Sequence, residues 1–235
     1  MNEMHKTQVD ELIKNSSSFA HKNGESLISE IEKNAALLIK WTNFLISYRK
    51  TAIADELLDG VMCAIREGAA CLSLGLVRPT LFSMRAQIDL MLTWIYFKDH
   101  PVEWRHVNNT GDGFKLKTEL FKYFNEMHPS FGSRFGILKD IRTRKEEDPY
   151  RLLSAHIHSQ SMAVVPNFAN LKDVVSNSAL ASDCIQIQFD VSEYICDILT
   201  GLYLEDHLKV DDEIKNSIIK RIKSEKQRQT LFSGL

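Results

Sequence analysis

The sequence predicts an all-α fold, a multi-helix bundle, and three features of the chain lead to that prediction. Glycine and proline, which interrupt helices, are scarce, with ten and five among 235 residues. Apolar residues recur at intervals of three and four, the spacing that places side chains on one face of an α-helix. No segment shows the apolar–polar alternation of a half-buried strand, so we expect helices alone to form the core.

Four helices are predicted in the N-terminal part, over residues 3–14, 25–50, 54–74 and 79–98. Asn15 and the three serines after it favour turns and caps, so we expect them to end the first helix. Gly75 ends the third helix, and Pro79 occupies the first turn of the fourth, where a missing backbone N–H is tolerated. The fourth helix is the most apolar, which predicts a position at the centre of the bundle.

The rest of the chain is predicted to hold a helix beginning near Pro101, a loop over 108–113, and helices over 114–127, 132–145, 149–160, 179–209 and 211–229. Residues 161–178 are the least regular stretch, and such a long loop is often functional or mobile. We predict three parts: an N-terminal helix with a linker (1–24), a helical bundle (25–210), and a C-terminal helix with a tail (211–235) that is an appendage or a dimer arm.

Charge and cysteine usage narrow the functional classes. A formal net charge of −2 provides no general basic field, so nucleic-acid binding would need a local patch. Four cysteines lie in helical segments without a CxxC pair, which indicates reduced thiols: Cys63, Cys71, Cys184 and Cys196. The N-terminus lacks an apolar signal segment, and the longest apolar stretch, near 90–97, is too short to cross a bilayer. We therefore expect a soluble, cytoplasmic protein with no membrane partner.

One arginine and two histidines stand close together in the segment that begins at Pro149 and ends at Ser159. Residues of a helix advance by about 100° each, so Arg151, Ser154 and His158 fall on one side. His156 falls on the opposite side among leucines, as expected of a core histidine. If the segment is catalytic, we expect Arg151 and His158 to carry the chemistry, with Ser154 beside them and His156 as the second choice. The alternative is a surface arginine and histidine at a helix end.

The Arg-x4–6-His spacing at Arg151, His156 and His158 resembles the motif of the HEPN superfamily, and the resemblance extends to a helical bundle over about 50–200. It implies a HEPN-like core, a homodimer whose two motifs face each other, and a metal-independent ribonuclease of a bacterial toxin–antitoxin or antiviral (anti-phage) defence system. A guanidinium such as that of Arg151 holds the scissile phosphate. An imidazole such as that of His158 moves a proton as general acid or base.

A second constellation, Arg85 with Asp89, lies on the apolar fourth helix. Charges held near a core are costly unless they are paired, and the four-residue spacing supplies a partner. One interpretation is a structural ion pair that fixes helix register. The other is a polar pocket shared with Arg151 and His158, in which Arg85 helps to hold a phosphate. The resemblance also implies that a charged residue of an early core helix approaches the motif.

A run of basic residues precedes the motif: Arg134, Lys139, Arg142, Arg144 and Lys145. It could lead an RNA backbone toward the motif, with Arg142 and Arg144 as substrate-binding residues. The alternative is a solvated helix end whose charges pair with one another.

Several chemistries have no sequence support. The chain lacks GxxxxGK[ST], GxGxxG, HExxH and GxSxG, and its histidines lack metal-ligand spacing, so we predict neither a metal nor a cofactor. The leading hypothesis is a ribonuclease or nucleic-acid-acting effector. Leu152 stands where HEPN members often carry a polar residue, which favours an inactive helical scaffold or regulatory subunit that binds a protein partner encoded nearby. A third hypothesis is a nucleotide- or small-ligand-binding helical domain whose pocket centres on Arg85 and Asp89.

Overall fold

The computed structural model describes residues 2–176, 178–206 and 209–232. Its helices are α1 (Asn2–Phe19), α2 (Glu25–Tyr48), α3 (Glu56–Ser73), α4 (Val77–Phe97), α5 (Pro101–Thr110), α6 (Lys117–Met127), α7 (Phe131–Asp140), α8 (Pro149–Ile157), α9 (Ser178–Tyr203), α10 (Asp212–Ile219) and α11 (Glu225–Leu231). A π-helical turn (Ala20–Gly24) joins α1 to α2, and 3-10 turns occupy Leu171–Val174 and Leu204–Asp206. The described residues contain no β-strand, which confirms the predicted all-α class. None of the described helices is both long enough and apolar enough to cross a membrane.

The core is built around α4. Helix α3 packs along α4, α2 packs against α3, and α9 contacts both α2 and α4. The large side chains of Trp94 and Phe97 are completely buried at the C-terminal end of α4. Gln87 of α4 and Gln188 of α9 exchange two hydrogen bonds, of 3.0 and 2.8 Å, which satisfy both buried amides and fix the register of the two helices. The predicted central position of the fourth helix is confirmed.

The predicted break at Asn15 is wrong, because α1 continues to Phe19 and passes through the π-helical turn directly into α2. The lower helix propensity of asparagine and serine amounts to only about 0.5 kcal/mol per residue. Tertiary contacts outweigh it: Phe19 packs against the core, and the Ser16 hydroxyl donates to the carbonyl oxygen of Leu74 at 3.2 Å. The segment predicted as a helix with a linker is therefore helical throughout its described part.

The turn between α3 and α4 follows the sequence prediction. Gly75 adopts a φ of +79°, the left-handed conformation that favours glycine, and α3 has ended two residues before it. Helix α4 begins at Val77, so Pro79 lies in its first turn.

Helix α7 ends at Asp140, five residues before the predicted 132–145 helix does. Two carboxylates of α9 replace the helical hydrogen bonds of the residues that follow. Glu193 accepts from the backbone N–H groups of residues 143 and 144 at 3.0 and 2.7 Å, and Asp190 accepts from those of residues 145 and 146 at 3.0 and 3.1 Å. Because these donors are satisfied from α9, the chain can leave the helix and approach α8 as an irregular loop.

The predicted C-terminal helix over 211–229 is two helices, α10 and α11. Ser224 caps the second, accepting from the backbone N–H of Gln227 at 3.2 Å, while the Gln227 side chain accepts from the Ser224 N–H at 3.2 Å. Helix α9 ends at Tyr203, earlier than predicted, and residues 207 and 208 lie outside the described part. The irregular stretch predicted over 161–178 contains one 3-10 turn, and its residue 177 also lies outside that part.

Candidate functional site

Helix α8 and the residue that follows it carry the predicted catalytic residues, and the helix separates the two principal ones, Arg151 and His158. Arg151 is exposed in the first turn, whereas His158 follows the last helical residue and is also exposed. Seven residues of helix correspond to a rise of roughly 10 Å. Neither side chain forms a hydrogen bond or ion pair with another described residue. Within one chain, the structure therefore does not bring Arg151 and His158 together.

His156 is half-buried on the inner side of α8. Burial lowers the pKa of its imidazole below the ordinary 6.5, and the positive charge of Arg78 lowers it further. The ring is therefore mainly neutral at pH 7. The Arg78 guanidinium also donates to the Ser159 hydroxyl at 3.4 Å, which connects the start of α4 to the end of the motif segment.

Arg85 of α4 contacts α8, which begins the Arg151–His158 motif and which we call the motif helix. The residue is only 9% exposed, it forms the expected ion pair with Asp89, and its Nε donates to the Ser154 hydroxyl at 3.2 Å. Its guanidinium carbon lies 3.4 Å from the centre of the Tyr150 ring. A charged residue of an early core helix thus contacts the motif helix, but its partners there are Ser154 and Tyr150 and not Arg151 or His158.

Lys117 and Asp148 extend this cluster, because Lys117 also contacts the Tyr150 ring. The Lys117 ammonium donates to both oxygens of Asp148 at 2.6 Å and lies 4.7 Å from the centre of the Tyr150 ring. Burial lowers the pKa of Lys117, and the hydrogen bond that its ammonium donates to Asp148 acts in the opposite direction. We call these six residues the α4–α8 polar cluster: Arg85, Asp89, Lys117, Asp148, Tyr150 and Ser154. Lys117 and Tyr150 were not predicted from the sequence, whose only local signal for them was that Tyr150 directly precedes Arg151.

The basic run before the motif is paired with carboxylates. Lys139 and Arg142 both contact Glu147, at 2.5 and 3.3 Å. Arg144 is fully buried at its side chain and pairs with Asp197 of α9, which also pairs with Arg221. Arg144 is thus enclosed in an internal network, and Arg142 is engaged in a local pair; neither presents an unpaired charge to a substrate.

Arg151 lines an open groove whose other charged residues are acidic: Glu146, Glu147 and Asp148. A phosphate that approached the guanidinium would meet these carboxylates at the same rim. Glu147 already pairs with Lys139 and Arg142, and Asp148 pairs with Lys117, so these basic residues offset part of the repulsion between the rim and an RNA backbone.

A separate cavity of about 300 Å³ opens beside Asp89, between α3, α4, α5 and the loop before α6. Its walls are mainly apolar: Leu57, Leu90, Trp104, Val107 and Phe114. Asp89 is the charged residue of the lining, and its side chain is 38% exposed. At Gly60, an added Cβ would lie 3.3 Å from the Leu90 side chain, so this glycine allows α3 to approach α4 closely at the cavity. We call this space the Asp89 cavity.

Among the residues that the structure describes, no group of three histidine, cysteine or acidic side chains is placed to hold a metal ion. Comparison of the chain with protein-family models, with curated proteins and with solved structures finds no match. Membership of the HEPN superfamily therefore stays a prediction from the motif.

Proposed function

We propose that the protein is a helical ligand-binding domain and that the Asp89 cavity is its binding site. One observation carries the proposal: a partly exposed carboxylate lies in an otherwise mainly apolar wall and is held there by a buried guanidinium. Small-molecule sites are typically concave and largely apolar, with a few fixed polar groups that orient the ligand. The cavity volume of about 300 Å³ falls at the lower end of the range for such sites.

The way in which Arg85 is held supports a role for Asp89 beyond local pairing. Arg85 is fixed by Ser154 and by the Tyr150 ring, so the position of its partner Asp89 is also restricted. A preorganised polar group binds a ligand with a smaller entropic penalty than a mobile one. Asp89 therefore has the properties of an orienting group in a binding site.

The indole N–H resonances of the three tryptophans provide the test. Trp104 lines the cavity and is partly exposed, whereas Trp41 and Trp94 are buried in the core at 2% and 0%. Titration of ¹⁵N-labelled protein with a library of small aromatic amines, amides and acids should shift the Trp104 signal saturably for at least one compound, while the Trp41 signal serves as an internal reference.

Two leucine variants distinguish the cavity from general effects on the fold. Leu57 lines the Asp89 cavity, and Leu37 lines a different one; both are half-buried at the edge of the core. Leu57→Phe should fill the Asp89 cavity and abolish the titration, and Leu37→Phe should leave it unchanged. A library that never shifts Trp104, or equal loss of binding in both variants, contradicts the proposal.

A metal-independent ribonuclease that acts as a homodimer is the second candidate. It is favoured because Arg151 and His158 are both exposed and have no partner among the described side chains, so a second copy could meet them. RNA integrity in bacteria that express the wild type or the Arg151→Ala/His158→Ala variant tests it. Cleavage by the wild type alone supports this candidate, and cleavage that survives the double substitution rules out this site. Light scattering of the purified chain reports whether the required dimer forms.

A further inference from the structure

The shape of the Asp89 cavity favours a flat ligand. Trp104 of α5 and Phe114 of the following loop both line it, and Phe114 is 55% exposed. The Trp104 ring is held from the core side by Phe97, with the ring centres 5.3 Å apart. Aromatic side chains on such a wall offer π-faces to a planar molecule. The volume of about 300 Å³ accommodates a compact molecule and not an extended polymer.

Asp89 favours a ligand that donates hydrogen bonds, whereas the other polar side chains of the lining, Thr93 and Asn108, can both donate and accept them. An ionised carboxylate only accepts them, and its two oxygens offer about four sites. Arg85 pairs with Oδ2 of Asp89, and Oδ1 has no partner among the described side chains. An acceptor is therefore left available at the cavity wall.

The sign of the charge narrows the ligand further. Arg85 is 9% exposed and is not part of the lining, because its guanidinium is occupied by Asp89, Ser154 and Tyr150. The charged side chain that a ligand in the cavity contacts is therefore Asp89 and not Arg85. A carboxylate or phosphate on the ligand would be repelled there, whereas a cationic nitrogen group would be attracted.

We infer that the ligand of the Asp89 cavity is a small planar aromatic compound with a cationic nitrogen group, such as an amidine or amine, that donates to Oδ1 of Asp89. This inference rests on the proposed function, since it names the ligand class of the same site. The aromatic body packs between Trp104 and Phe114, and Arg85 holds the carboxylate from behind.

Three probes of nearly equal shape test the class: benzamidine, neutral benzamide and anionic benzoate. Their affinities are measured from the Trp104 indole shift. We expect benzamidine to bind best and benzoate worst. Asp89→Asn should weaken the binding of benzamidine about fivefold, which is the effect of losing one partly exposed charge pair, and should change the affinity for benzamide little. The same substitution should raise the affinity for benzoate relative to that for benzamidine, because Arg85 then lacks its counterion. Asp59→Asn, which removes an exposed acidic charge of α3, is the control with the same net charge.

The outcomes separate this inference from the proposed function. Equal binding of the three probes, or a preference for benzoate, overturns the ligand class; if Leu57→Phe still blocks that binding, the site itself stands. Failure of benzamidine to bind also overturns the class, and the wider library then decides whether the cavity binds small molecules at all. An equal effect of Asp59→Asn and Asp89→Asn on benzamidine shows a general field effect and removes Asp89 from the inference.

Discussion

At Arg85, one nearly buried guanidinium meets a carboxylate, a hydroxyl and an aromatic ring that belong to two different helices. Charge-assisted hydrogen bonds of this kind contribute more than neutral ones, and the loss of one buried partner leaves the others unsatisfied. The sequence predicted the Arg85–Asp89 pair from its spacing. It did not predict Tyr150 as a partner, because that contact joins residues far apart in the chain.

Arg85→Met should therefore lower the free energy of unfolding by about 2 kcal/mol. The methionine retains much of the apolar stem, so the loss reflects the unpaired Asp89 and Ser154. Urea denaturation at pH 7 measures it, and Arg66→Met, at an exposed position of α3, is the matched control with an expected change within about 0.5 kcal/mol. A loss at Arg85 no larger than that at Arg66 would show that these contacts add nothing to stability.

His156 should titrate below pH 6.5, because burial and the charge of Arg78 both lower its pKa. The unfolded chain, with the ordinary pKa of 6.5, then binds a proton more readily than the folded chain does. The contribution of His156 to the free energy of unfolding is complete above pH 6.5 and is lost as the pH falls through the lowered pKa of the folded chain. An NMR titration of the imidazole checks the midpoint, and Arg78→Gln should move it upward. A midpoint at or above 6.5 is incompatible with the half-buried position.

At the scale of whole helices, apolar periodicity predicted the existence of nearly every element, and tertiary contacts decided their ends. Asn15 and the serines after it remain helical because α1 packs on the 3-10 turn at Leu171–Val174. Helix α7 ends early because carboxylates of α9 bind the backbone N–H groups of residues 143–146. Such long-range contacts leave no local pattern. The third hypothesis placed a pocket at Arg85 and Asp89, but the apolar walls of the Asp89 cavity could not be predicted for the same reason, since they come from α3, α4, α5 and a loop.

Among the contacts between α9 and the loop before α8, those of the Glu193 carboxylate should contribute most to stability. Burial acts to raise its pKa, but hydrogen bonds from Thr143 and the charge of Arg221 hold it below 4.5. Its contribution to stability is therefore complete above pH 4.5 and is lost as the pH falls through the lowered pKa. Glu193→Gln should lower the free energy of unfolding by about 3 kcal/mol at neutral pH, because Arg144 and Arg221 lose a buried counterion.

Hydrogen exchange of the amides of residues 143–146 provides the second readout, since Glu193→Gln should accelerate exchange in the half of this loop that it binds. Glu126→Gln is the control, because Glu126 forms an exposed pair with Lys122 at 3.9 Å. This substitution should change the free energy of unfolding by less than about 0.5 kcal/mol. Similar losses in the two variants would mean that the buried network does not hold the loop.

Considered as a whole, the molecule neutralises most of its interior charge with its own residues and keeps one partly exposed carboxylate beside an apolar cavity. The α4–α8 polar cluster connects that carboxylate to the motif helix through Arg85. A ligand that binds Oδ1 of Asp89 shares the carboxylate with Arg85 and should thereby alter the surroundings of α8. We expect saturating benzamidine to shift the backbone amides of Tyr150 and Ser154 in the wild type and not in Arg85→Met. Equal shifts in both proteins would exclude coupling through Arg85.

The most direct test of the central claim is contact between a bound probe and the cavity walls. Intermolecular nuclear Overhauser effects are measured between benzamidine and methyl-labelled leucines. We expect contacts to the methyl groups of Leu57 and Leu90, which line the Asp89 cavity, and none to Leu37, which lines a different cavity. Contacts to Leu37, or to exposed side chains alone, with none to Leu57 and Leu90 would contradict the assignment of this cavity as the binding site.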